Sequence, residues 1–339
     1  MSRADAAHEF REAPEAVRRQ SELIASPVAE LVRHLHRRAP NLVMTCSRGS
    51  SANAAAFGKH LIELYLGTPV AAAAPNIATL YRRQLQLSGQ LFLAISQSGR
   101  SDDLVAATRM AKAGGALTSA IVNDIESPLA AAADIVLPMA AGPESGIAAT
   151  KSFVATMSAL LRLVAAWSDD HALTGAIARL PDRLSAAADL DWSAGLPLLS
   201  SAASLVAIGR GPTLAIAREA ALKLKEGCDL HAEAFSGAEF LHGPVALVSA
   251  GYPVLIFLPT DVAAAGLREL AEVLRRKGAA VLCAGEASDG PMQGLPADHP
   301  ATDAVCLIQS FYGLLGRLAA ARGVDLMKPR HLQKVTRTR

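Results

Sequence analysis

The 339 residues are 51% hydrophobic and 19% charged, with 33 Lys and Arg against 31 Asp and Glu. That length exceeds one ordinary domain and is enough for two buried cores. The near-balanced charge gives no basic excess for nucleic acid and no acidic tail, so the expected partner is a small molecule.

From the N-terminus, residues 6–37 place apolar positions at helical spacing among many Arg and Glu, which predicts one or two surface helices as a lead-in over 1–40. The charged start lacks the apolar stretch of a secretory signal, and no segment reaches the roughly 18 uninterrupted apolar residues of a membrane span. A cytoplasmic chain without a membrane partner is expected. Short apolar runs at 42–46, 91–95, 117–123 and 135–138 then alternate with longer helical stretches, the pattern of a parallel sheet with crossover helices. The pattern recurs at 204–208, 253–258, 280–284 and 304–309. The first three pairs of runs keep an offset of about 162 residues, and Ser47-Arg48-Gly49 matches Gly209-Arg210-Gly211. The reading is a duplicated α/β protein: domain 1 over 41–170, a linker within 168–193, domain 2 over 194–325 and a tail over 326–339. Cys46, Cys228, Cys283 and Cys306 form no CxxC pair and no zinc-like spacing, so they read as reduced core residues.

Ligands bind at the carboxyl ends of strands in such sheets, where helix N-termini present unpaired amides to anions. Three segments fall there. The first is Cys46-Ser47-Arg48-Gly49-Ser50-Ser51, and the second is Ser96-Gln97-Ser98-Gly99-Arg100-Ser101-Asp102-Asp103. The second concentrates small donors around a glycine and reads as a phosphate cradle, or equally as a plain helix cap. The third, Gly142 to Lys151, reads by itself as a loop and a cap.

Together with Arg218-Glu219-Ala220-Ala221-Leu222-Lys223-Leu224-Lys225-Glu226, His231-Ala232-Glu233, Glu239-Phe240-Leu241-His242-Gly243-Pro244 and the tail through Lys334, these segments resemble the SIS (sugar isomerase) family. The similarity covers about 42–336 and is to the isomerase half of glucosamine-6-phosphate synthase and to stand-alone SIS-type deaminases. It implies two tandem SIS domains, each a mostly parallel five-stranded sheet between helices in three αβα layers. It implies phosphate and sugar contacts at Ser51, Ser96, Gln97, Ser98, Ser101, Ile147 and Ala149, and catalytic roles for Glu226, His242, Lys334 and Lys223.

Aldose–ketose chemistry needs ring opening and a proton moved between C1 and C2, which suits an imidazole and a carboxylate. It calls for no metal and no redox cofactor. The resemblance further implies a homodimer in which His242 acts in trans. Two departures from the synthase pattern stand out: Ala149 where a serine precedes Thr-Lys, and Arg100 where a glutamate follows the SQSG run. A glutaminase segment is not expected, because about forty residues precede the first strand and Ser2 follows Met1. The expected reaction is therefore deamination of glucosamine 6-phosphate. The alternatives are deamination of its galactosamine epimer, cleavage of fructosamine-type phosphate adducts, and a sugar-phosphate sensor without turnover.

Overall fold

The computed structural model describes residues 9–286, 288, 290–326 and 330–331. Two compact units stand out. One comprises residues 15–144 and 151–178, and the other comprises 9–14, 145–150 and the described residues of 179–331.

In the first unit, β1 (Val43–Ser47), β2 (Val70–Ala72), β3 (Leu91–Ser96), β4 (Leu117–Val122) and β5 (Ile135–Pro138) form a wholly parallel sheet ordered β2-β1-β3-β4-β5. Every residue of β3 is buried, as a central strand covered on both faces requires. Its helices are α1 (Ala13–Arg37), α2 (Gly49–Leu66), α3 (Asn76–Thr79), α4 (Asp102–Ala113), α5 (Pro128–Ala132) and α6 (Lys151–Ser168). The apolar face of α1 (Val17, Ile24, Val28, Leu31, Leu35) is buried, so the lead-in is core-forming as well as surface-bearing. Each such fully buried aliphatic side chain contributes roughly 1.5–3 kcal/mol. With β2 and β3 on opposite sides of β1, the winding reverses between β1 and β3. The strands stay paired up to Ser47 and Ile95, and beyond them the chain leaves β1 and β3 to opposite sides of the sheet, the position at which such sheets bind ligands.

The second unit repeats this winding. β6 (Ser204–Gly209), β7 (His231–Ser236), β8 (Pro253–Phe257), β9 (Ala280–Gly285) and β10 (Met292–Gln293) are parallel in the order β10-β9-β8-β6-β7. After α7 (His171–Ala188), its helices are α8 (Leu196–Ser201), α9 (Thr213–Cys228), α10 (Gly237–Leu241), α11 (Ala264–Arg276) and α12 (Pro300–Ala321). The core gathers Val206, Ile208, Phe240, Val254, Ile256 and Leu270.

Residues 304–309, expected as a strand, lie inside α12. Val305 and Ile308 imitate a strand locally, but Val305, Ile308, Phe311, Leu315 and Leu318 recur at helical spacing and are all buried. Pro300 at the first turn and the His299 ring, whose Nδ1 accepts from the Ala301 amide at 3.2 Å, start the helix. The strand that corresponds to β5 is instead the two-residue β10. α12 is long and apolar enough to cross a membrane by composition, but it is a buried core helix. The stretch read as a linker, 168–193, carries α7, with Leu173, Ile177, Leu180 and Leu184 buried.

Candidate active site

The loops after β1 and β3 flank the point where the winding of the first unit reverses. Gly49 and Gly99 both take positive φ, +53° and +62°, which lets each strand turn sharply into its helix. Within the second loop, the buried Ser96 hydroxyl accepts from the Gly99 amide at 3.1 Å and the Ser98 hydroxyl accepts from the Arg100 amide at 3.3 Å. Ser101 is the N-cap residue of α4, yet its hydroxyl makes no capping bond. The capping alternative therefore fails at the hydroxyl that should have satisfied it. The side chains of Ser51, Gln97 and Ser101 make no hydrogen bond among the described residues, which leaves their donors available at a helix N-terminus. Arg100 pairs with Asp124 at 2.8 Å, so the cation that departs from the synthase pattern is already matched by a carboxylate.

A contact that sequence reasoning missed joins the two loops. Arg48 donates from Nε and Nη2 to Asp103 Oδ2 at 3.1 and 2.7 Å, while Asp103, 2% exposed, also accepts from the Leu104 amide through Oδ1. The pair fixes the loop after β1 to the first turn of α4. Burial, with the Asp103 charge adding to it and Arg48 opposing, raises the neighbouring Cys46 thiol to about 12.

The third loop begins at a strained point. Ala140 adopts φ +54°, and Arg19 donates to its carbonyl from Nε at 3.0 Å. Asn123 brackets the next residues, donating to Gly142 O at 2.9 Å and accepting from Ala141 N at 2.8 Å. Buried Glu144 accepts from the Ser152 hydroxyl at 2.5 Å and its amide at 3.3 Å, capping α6. Ile147 and Ala149 are half-buried in the part of this loop that belongs to the second unit.

The acid–base candidates lie in the second unit. On α9, Glu219, Lys223 and Glu226 occupy successive turns of one face. Lys223, 1% exposed, donates to Glu226 Oε2 at 2.5 Å and lies 3.5 Å from Glu219 Oε1, itself fully buried. A buried ammonium requires such carboxylate neighbours. Glu226 remains 22% exposed, and its other oxygen accepts no hydrogen bond among the described residues. The carboxylate is thus oriented at one oxygen and open at the other. Sequence reasoning did not assign Glu219 a role, although its four-residue spacing to Lys223 was the available signal.

His242 stands at the end of α10, with its backbone amide donating to Glu239 O at 3.0 Å and its side chain exposed. The helix that carries Glu226 ends at Asp229 in the left-handed region, and a Cβ at Gly227 would come within 2.4 Å of Leu326. Leu326 therefore packs directly behind the position after Glu226. Lys334 lies outside the described residues. Among the described residues, no group of three or more His, Cys, Asp or Glu is placed to hold a metal.

The sequence signature of the SIS domain matches residues 38–166 and 198–299. The chain belongs to the SIS domain family. It is 34% identical over 321 residues to glutamine–fructose-6-phosphate aminotransferase (isomerizing) of Symbiobacterium thermophilum, matching 88% of this SIS chain and 52% of that enzyme. The corresponding enzyme of Caulobacter vibrioides is 31% identical over 307 residues, 84% of this chain and 50% of its own. This chain thus spans about half the length of the curated relatives it matches. Among solved structures, one from Silicibacter pomeroyi DSS-3, provisionally assigned as a phosphosugar isomerase, is 41% identical with a TM-score of 0.90, over 96% of this chain and all of that one.

Proposed function

We propose that this SIS protein is a phosphosugar isomerase-type enzyme, and within that class an isomerising deaminase of glucosamine 6-phosphate. The observation that carries the reading is the oriented carboxylate: Glu226 tied at Oε2 to buried Lys223 and open at its other oxygen. A base for a carbon-bound proton needs that arrangement. The hydroxyl-lined loops after β1 and β3 supply the anion site, with Ser51, Ser96, Gln97, Ser98 and Ser101 and the loop amides as donors. Ile147 and Ala149 line the sugar, and Ala149 contributes backbone and a methyl group where a hydroxyl is usual.

In this reading His242 protonates the ring oxygen and takes up the hemiacetal O–H proton, which opens the pyranose to an aldehyde. Glu226 removes the C2 proton, the C–H electron pair forms the C1–C2 double bond of the enolamine, and His242 returns its proton to O1. The proton on Glu226 then passes to C1, leaving an alcohol there and a protonated imine at C2. Water adds to C2, its protons passing to His242 and to the nitrogen, and the C–N bond breaks, releasing ammonia and fructose 6-phosphate. Lys223 orients Glu226, and the family resemblance assigns Lys334 to the open-chain sugar. The exposed His242 serves the neighbouring subunit's sugar in a homodimer.

The test incubates the purified protein with glucosamine 6-phosphate and, separately, galactosamine 6-phosphate, and follows ammonia and ketose phosphate. The expected result is turnover of the first, reduced about 10²–10⁴-fold in Glu226→Gln. Turnover of only the second changes the substrate and keeps the chemistry. Binding without turnover of either would sink the deaminase reading and favour adduct cleavage or a sensor.

A further inference from the structure

We propose that Glu9 is a positioning residue that pre-forms the sugar-facing stretch of the third loop, a role that rests on the reading above. Glu9 opens the short 3-10 turn Glu9–Glu12 and is 2% exposed. Its Oε1 accepts from the Ser145 amide at 2.6 Å and its Oε2 from the Gly146 amide at 3.0 Å, across 136 and 137 residues of sequence. Both partners belong to the second unit, as do Ile147 and Ala149. A carboxylate held by two consecutive backbone amides fixes the peptide plane between them, which sets the direction in which the next residues leave.

The carboxylate is itself a fixed point. Gln309 Nε2 donates to the Phe10 carbonyl at 2.8 Å, the Phe10 and Tyr312 rings sit 6.5 Å apart, and Arg11 reaches Asp189 at 2.6 Å. The turn is thereby pinned to α12 and the end of α7 immediately beside Glu9. Gly146 leaves room for the carboxylate, since a Cβ there would stand 3.1 Å from Glu9 Oε2. Residues 141–144 are held independently by Asn123 and by the Glu144 cap on α6. Glu9 therefore governs the stretch from Ser145 onward.

When the carboxylate is removed, the loop has to be ordered at the moment of sugar binding, and the affinity falls by the cost of that ordering. The experiment measures binding of glucitol 6-phosphate, an open-chain analogue that cannot react, and of inorganic phosphate, by calorimetry on the full chain. Glu9→Gln is expected to weaken glucitol 6-phosphate roughly tenfold or more while leaving inorganic phosphate within about twofold, as loss of a charge-assisted pair of hydrogen bonds implies. Gly146→Ala, which crowds the same carboxylate from the loop side, is expected to reproduce the defect, and the double variant to be no worse than either alone. If Glu9→Gln does not fold, Gly146→Ala carries the test. Equal loss of both ligands, or an unchanged preference for the hexitol phosphate, would overturn the role. Wild-type protein that binds phosphate but gains nothing from the hexitol would overturn the sugar reading of the loop, and this proposal with it, before any variant is made.

Discussion

Replacing Gly99 by alanine separates two costs that the structure allows to be worked out individually. Gly99 has φ +62°, a conformation that costs an alanine about 1–2 kcal/mol. A Cβ there would also sit 2.0 Å from Ser127 Oγ and 2.5 Å from Ser127 Cβ. Ser127 cannot retreat freely, because its hydroxyl caps α5 by accepting from the Ala130 amide and the Gly99 carbonyl accepts from Leu129. Forcing that contact adds about 1–3 kcal/mol, so Gly99→Ala is expected to lose about 2–5 kcal/mol in all. Gly49→Ala is the internal control: its φ is +53° but nothing lies within 4 Å of the new Cβ, so it loses only the conformational part, about 1–2 kcal/mol. Urea unfolding of both variants, with calorimetric binding of inorganic phosphate, checks the comparison. Phosphate binding is expected to fail in Gly99→Ala even where the protein stays folded. Equal destabilisation by the two substitutions, or Gly99→Ala with unchanged phosphate affinity, would refute the account of the second loop as a cradle braced against α5.

Arg48→Ala leaves Asp103 buried without its guanidinium and is expected to cost about 1–2 kcal/mol, less than a fully buried pair because Arg48 is half-exposed. Adding Asp103→Ala to Arg48→Ala should recover part of that loss in thermal unfolding. Burial also raises the thiols of Cys46, Cys228 and Cys306 to about 12, so at pH 8 their thiolate fraction is on the order of one in ten thousand. Native protein is therefore expected to leave these three unreacted with a thiol reagent until denaturant is added, and rapid labelling at pH 8 would show that the cores around them open.

The sequence made the sheet largely legible because its central strands are continuous apolar runs, and the glycine-turn motif marked both β1–α2 and β6–α9. It missed β2 and β10, which are three and two residues long and too short to carry a period. It also missed β7, whose polar edge residues read as part of a motif. The error at 304–309 arose because residues 301–312 of α12 are buried all round, so that stretch shows no solvent face to reveal its 3.6-residue repeat. Of the candidate site, Ser96, Gln97, Ser98, Ser101, Lys223 and Glu226 lie in local motifs that sequence reading can single out. Arg48–Asp103 and Glu9 on the third loop do not, because those partners lie 55 and 136 residues apart and meet only through the topology.

The repeat carries one further consequence, in how many phosphates the chain can take up. Thr213 stands in the second copy where Ser51 stands in the first, two residues after the matched glycine. The Thr213 hydroxyl is engaged internally, 2.8 Å from the Phe257 carbonyl at the end of β8 and 3.1 Å from the Arg210 amide that donates to it. On the proposed reading, the same winding serves as an anion site in one copy and as a mortised joint in the other. A protein built twice is then expected to saturate at a single equivalent of phosphate, while in the second copy the Thr213 contact with Phe257 ties the start of α9, and the carboxylate that helix bears, to β8.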